Sequence, residues 1–178
     1  MKPIQHNIYK GTSGKFGAIQ FSLLPSHWVS SDPSSKVKVF GDNPVPPHDA
    51  ADDSEMIQKD GCIFVHAASA VGPNKYDWDN KIVFALSLTD IGKLLVHFKN
   101  GQDLSLFHDP GAQSTRKGEV TKTMKFSSPK GIVNGAFINL VMNAGGKTTT
   151  HSIPLTVDEL AILDTLLRAA VPKMIAWN

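Results

Sequence analysis

A chain of 178 residues, with 41% hydrophobic and 19% charged residues, has the length of one domain and enough apolar side chains for a core, which excludes a disordered tail protein. Eighteen Lys and Arg against 16 Asp and Glu leave a net charge of +2, so a polyanion partner would have to meet cations gathered on one face. The one cysteine, Cys62, excludes a disulfide framework within the chain and fits a reducing compartment.

No apolar run reaches the ~18 residues that cross a bilayer, so no membrane partner is expected. The start, Met1-Lys2-Pro3-Ile4-Gln5, carries neither a signal-peptide core nor an Arg-rich amphipathic stretch. That leaves a cytosolic or nuclear protein, or one whose targeting segment lies outside the numbered chain.

In chain order, Lys15 to Leu24 reads as a strand, with Gly17, Ile19, Phe21 and Leu23 on one face and Phe16, Ala18, Gln20 and Ser22 on the other. Pro25 ends it. Lys36 to Phe40 is a short strand with Val37 and Val39 inward and both lysines outward. Gly41 to Asp60 is rich in proline and acids and lacks periodicity, and reads as a mobile acidic loop. Gly61 to Ala68 and Ile82 to Leu88 are strands either side of a Gly72-Pro73-Asn74 turn. Thr89 is the expected cap of a helix over Asp90 to Lys99, which Asn100-Gly101 stops. Four more strands follow: Asp103 to His108, Glu119 to Ser127, Ala136 to Asn143 and Thr148 to Leu155, with a hairpin turn at Gly145-Gly146-Lys147. Thr156 and Glu159 form a capping box for a last helix toward Trp177, which Pro172 should kink near Val171.

The order is therefore four strands, a helix, four strands, a helix. Two antiparallel four-stranded sheets, each followed by one helix, pack this set most simply. The expectation is an α+β fold, a ββββα unit repeated, in a single domain over 1–178 with an acidic loop at about 41–60.

Tyr76-Asp77-Trp78, then Lys81, a strand, and Thr89-Asp90-Ile91-Gly92 resemble a YDW-to-TEIG stretch of the Whirly family. Phe107-His108-Asp109-Pro110 is similar to that family's FFHDP. Ile8-Tyr9-Lys10-Gly11, followed by Gly17 to Ser22, resembles its KGKAALSV strand, interrupted here by Thr12 to Phe16. The ending from Pro172 to Trp177 is also similar. The resemblance implies single-stranded DNA or RNA as ligand, sequence-tolerant binding and no enzymatic activity. It implies work in mitochondria or plastids and a homotetramer, or a heterotetramer with a paralogue, whose helices form the core. Leu94, Leu95, Leu163, Leu166 and Leu167 fit that core; an ordinary monomer core is the alternative. The competing job for the same fold is a structural subunit of an organellar ribonucleoprotein, such as a ribosome or editing complex.

Single-strand binding needs cations along the backbone and aromatic faces for bases. Lys75, Tyr76, Trp78 and Lys81 supply both within seven positions; alternatively Tyr76 and Trp78 are buried packing anchors. Lys10, Lys15, Phe16, Gln20 and Ser22 are candidates on the first strand. Lys36 and Lys38, and Thr121, Thr123 and Lys125, are candidate phosphate tracks. Asn139 and Asn143 share a face with Phe137. The alternative for all of these is an ordinary solvated sheet face. His108-Asp109 is read as organising a turn rather than holding a metal, and no nucleotide-binding glycine motif is present, so no cofactor is expected.

Overall fold

The computed structural model describes residues 4–11, 16–31, 38–39 and 56–176. The strands are β1 (Ile4–Tyr9), β2 (Gly17–Leu24), β3 (His27–Ser30), β4 (Lys38–Val39), β5 (Met56–Lys59), β6 (Cys62–Gly72), β7 (Lys75–Tyr76) and β8 (Ile82–Leu86) before helix α1 (Leu88–Asn100). Then come β9 (Leu104–His108), β10 (Val120–Ser127), a 3-10 turn at Ile132–Asn134, β11 (Ala136–Ala144), β12 (Lys147–Leu155) and helix α2 (Val157–Met174).

The first sheet runs β1-β2-β6, and the long β6 then pairs with β8 along Ile63 to Ala67 and with β7 at Ala70 and Gly72, with a bulge between those two. The second sheet is the antiparallel meander β12-β11-β10-β9. The α+β class, the antiparallel sheets and one helix after each are as expected. The membership of the first sheet differs. The place expected for Lys36 to Phe40 is taken by β1, while Lys38–Val39 joins a small β4-β3-β5 ribbon. Most of the expected acidic loop lies outside the described residues, but its end, Met56–Lys59, is a strand.

Why β1 belongs to the sheet is visible in its alternation. Ile8 faces Ile19 and His6 faces Phe21 toward the helices, whereas Asn7 and Tyr9 point the other way. Gly17 lets β2 lie tight on β6, because a Cβ there would stand 2.0 Å from the Ala68 carbonyl oxygen. The turn between β11 and β12 uses Gly145 and Gly146, both at positive φ (55° and 74°), as a two-residue hairpin requires.

The α1 cap is Ser87, not Thr89. The Ser87 hydroxyl accepts from the Asp90 amide at 3.2 Å, and the Asp90 carboxylate accepts from the Ser87 amide at 3.0 Å. This box needs three-residue spacing, which Ser87 and Asp90 have and which leaves Thr89 inside the first turn. Thr156 and Glu159 cap α2 in the same way. Pro172 sits within the last turn of α2, and the helix ends at Met174. The carbonyls exposed there are taken by loops: the Ser26 amide donates to Lys173 O at 2.8 Å and the Gly61 amide to Met174 O at 2.7 Å.

Both sheets and both helices share one buried cluster, including Ile19, Val65, Phe84, Leu94, Phe126, Leu140, Ile153 and Leu163. Two polar links tie the sheets together. Lys122 Nζ donates to Val83 O at 2.7 Å, and the Ser69 hydroxyl meets His151 Nδ1 at 2.9 Å. Burial lowers the pKa of both Lys122 and His151.

Candidate nucleic-acid interface

The face of the first sheet turned away from the helices can be read from strand register. Asn7 lies opposite Gln20, Gln20 opposite His66, and His66 opposite Val83. One row over, Tyr9 lies opposite Ala18 and Ala18 opposite Ala68. On the other side, Ser22 lies opposite Phe64 and Phe64 opposite Ala85. Because side chains alternate with period two, these residues share one face.

Along one margin of this face the aromatic rings form a run. Tyr9 and Tyr76 have centroids 5.4 Å apart, and Tyr76 and Trp78 are 6.4 Å apart. Tyr9 is 56% exposed, while Tyr76 and Trp78 are half-buried. Half-burial answers both readings of these rings: each is anchored by packing and each leaves part of its surface open. Ala18 and Ala68, in the row beside Tyr9, are fully buried, so the sheet is covered there. Lys75 and Lys81 are exposed on either side, and Lys81 Nζ donates to Trp78 O at 3.2 Å.

In the middle of the face, Gln20 Nε2 donates to Asn7 Oδ1 at 2.9 Å. His66 packs edge-on against Phe64 with centroids 6.2 Å apart. Burial, with the Lys81 charge adding to it, holds the His66 imidazole below its ordinary pKa of 6.5. His66 is therefore predominantly neutral at pH 7, with one ring nitrogen a donor and the other an acceptor.

The candidate residues part into several groups. Gln20, Lys75, Tyr76, Trp78 and Lys81 come together on this face, and Phe16, 40% exposed, precedes β2 at its edge. Lys10 does not join them. Its ammonium pairs with Glu159 at 2.8 Å, fastening the end of β1 to the start of α2. The Ser22 hydroxyl is correctly placed by register but shut off from solvent, with no hydrogen bond among the described residues, so it is not open to a ligand. Lys15 and Lys36, and the side chain of Lys38, lie outside the described residues.

Lys125 and Asn139 sit on a different surface, the outward face of the second sheet. There they are register partners, flanked by Ser105 and Ser152. Phe107, 64% exposed, and Phe137, 38% exposed, lie on the same face. Asn143 is engaged there, accepting from the Thr148 hydroxyl at 2.7 Å.

Sequence reasoning missed Tyr9, Asn7, His66 and Phe64. The alternation of Ile4, His6 and Ile8 was the available signal for β1, and reading it as a strand would have placed Asn7 and Tyr9 outward.

His108 and Asp109 have structural partners. The Asp109 carboxylate accepts from the Gly111 and Gly118 amides, each at 2.9 Å, and so holds the loop after β9. His108 stacks on Phe84 at 4.2 Å and meets the buried Asp90 carboxylate at 3.1 Å. Ser87 completes the group, but its hydroxyl donates to Asp90 at 2.6 Å rather than to the imidazole. Within this group the hydroxyl is thus not paired with the imidazole as a nucleophile with its base would be.

Of the five leucines expected at an oligomer core, Leu94, Leu163 and Leu167 are buried within the chain itself. The apolar side chains left on the helix surfaces include Val96 at 58%, Ile162 at 47% and Leu166 at 37% exposure.

Comparison with known proteins agrees with this architecture. The family model described as Whirly transcription factor matches residues 36–166. The mitochondrial single-stranded DNA-binding protein WHY2 of Arabidopsis thaliana is 34% identical over 124 residues, covering 68% of this chain and 51% of the relative. The chloroplastic single-stranded DNA-binding protein WHY1 of the same plant is 34% identical over 125 residues, covering 68% of this chain and 46% of the relative. The chain thus spans about half the length of these curated relatives. The crystal structure of WHY1 from Arabidopsis thaliana superposes with a TM-score of 0.76 at 27% identity, covering 99% of this chain and 88% of that one. By sequence and by fold, the chain belongs to the Whirly family.

Proposed function

We propose that this protein binds single-stranded nucleic acid, DNA foremost, on the outward face of its first sheet, and that it does so without catalysing a reaction. The observation that carries this is the Tyr9–Tyr76–Trp78 ring run beside Lys75 and Lys81. Bases stack on the rings and phosphates meet the lysines, the two contributions that sequence-tolerant single-strand binding requires. The names of the WHY relatives, single-stranded DNA-binding proteins of mitochondria and chloroplasts, support the ligand and an organellar place of work. Lys125, Asn139, Phe107 and Phe137 offer a second binding stretch on the other sheet. Self-association through the helices, as a homotetramer or with a paralogue, is supported by the apolar surface at Val96, Ile162 and Leu166.

Binding of labelled single-stranded DNA, single-stranded RNA and duplex across a salt series tests the reading, alongside solution mass. A single strand of DNA should bind best, with affinity falling as salt rises. Replacing Lys75 and Lys81 together by Ala should flatten the log–log salt slope by ~1.4, since each phosphate left without its lysine takes away about 0.7. No affinity for any single strand, or preference for duplex, would overturn the proposal.

A further inference from the structure

We propose that Ser69 and His151 are positioning residues for nucleic-acid binding: their bridge between the sheets holds the loop over 77–81, and so sets the Trp78 ring and the Lys81 ammonium at the binding face. The inference rests on the function proposed above and deepens it.

The bridge is polar where its surroundings are apolar. On β6, Ile63, Val65 and Ala67 are buried, and period-two alternation puts Ser69 next in that row. On β12, Ile153 and Leu155 are buried, and His151 precedes them in the same row, itself buried. A serine and a histidine withdrawn from water cost desolvation that two apolar side chains would not. Their mutual hydrogen bond, 2.9 Å from Oγ to Nδ1, offsets that cost and adds little beyond it. Stability of the core therefore gives no reason for the pair, whereas its neighbours do.

Those neighbours form the loop that carries Trp78 and Lys81. The Asp77 amide donates to Ser69 O at 2.9 Å, so Ser69 anchors the loop through its carbonyl and meets His151 through its hydroxyl. The Asp77 carboxylate accepts from the Asn80 amide at 3.2 Å and from Asn80 Nδ2 at 2.9 Å, closing the loop on itself. The other ring nitrogen of His151, Nε2, is buried with no hydrogen bond among the described residues. Burial is the main influence on this imidazole and lowers its pKa, while the Asn80 backbone and the Asp77 carboxylate act in the opposite direction from beside the ring. Trp78 stands between Asp77 and Asn80, and Lys81 Nζ donates to Trp78 O at 3.2 Å. A shift of the loop therefore moves a stacking ring and a cation together.

The experiment measures affinity for labelled oligo-dT, with thermal unfolding beside it, in four proteins. They are the parent, Ser69→Ala/His151→Leu, Trp78→Ala/Lys81→Ala, and all four substitutions combined. Replacing both bridge partners by apolar side chains should leave the unfolding midpoint near or above that of the parent. Affinity should nevertheless fall about 5-fold or more, since one stacked base accounts for about 5- to 150-fold. Without Trp78 and Lys81, the same bridge substitutions should change affinity by less than about twofold, because the groups they position are gone. Ser69→Ala alone removes one oxygen and should lower affinity in the same direction; it decides the matter if the double variant yields no folded protein. A folded bridge variant that binds like the parent overturns the proposal. So does a loss that persists in full without Trp78 and Lys81, which would make the bridge a support of the fold at large. A parent that binds no single strand overturns the underlying function as well, a result told apart because it precedes any substitution.

Discussion

Tyr76→Ala isolates stacking from charge. Tyr76 is the middle ring of its run, 5.4 Å from Tyr9 and 6.4 Å from Trp78. Deleting it removes the stacking of one base directly, a loss of ~1–3 kcal/mol. At 1.4 kcal/mol per tenfold, the dissociation constant should rise about 5- to 150-fold. No cation is removed, so the salt slope should stay that of the parent. Tyr76→Phe keeps the ring and should bind much like the parent. The assay is fluorescence anisotropy with an end-labelled single strand at several salt concentrations. Thermal unfolding runs beside it, because the half-buried ring also contributes to packing. A folded Tyr76→Ala protein with unchanged affinity would refute the stacking platform. A flattened salt slope would show instead that the ring acts by positioning Lys81 through the 3.2 Å bond to Trp78 O.

Acidification should destabilise the fold. Burial lowers the folded-state pKa of both His66 and His151, so below 6.5 the unfolded chain binds more protons than the native one. Stability is therefore complete above that pH and falls as pH drops toward the lowered native values; His151→Gln should flatten the loss in a pH series of urea melts. Binding should tighten over the same window, since a phosphate near Lys81 favours the charged His66, and His66→Phe should abolish that rise. Gly17→Ala should cost about 1–3 kcal/mol, because its methyl would stand 2.0 Å from Ala68 O; an unchanged melting temperature would show that β2 and β6 separate freely. Ile162→Asp with Leu166→Asp, both exposed, should lower the solution mass and leave the unfolding midpoint of the protomer nearly intact; a mass unchanged by the pair would remove the helices from the assembly.

Local chemistry made much of this molecule legible in one dimension. Strict alternation marked β2, β8 and the second sheet. The Thr156–Glu159 box marked the start of α2, and Gly145-Gly146 marked a hairpin, because each signal lies within a few residues of what it controls. The cluster from Lys75 to Lys81 was legible for the same reason. Pairings between distant segments were not. That Lys10 belongs to Glu159, that the Ser22 hydroxyl is sealed, and that Asn7 and Tyr9 meet Gln20 and Tyr76 follow only from strand register and from where the helix lies across the sheet. A side chain's neighbour across a ladder is set by pairing, and a one-residue change in register would send every one of these groups to the opposite face. The sequence by itself determined which residues are aromatic and which carry charge; only the tertiary structure decided which of them share a surface.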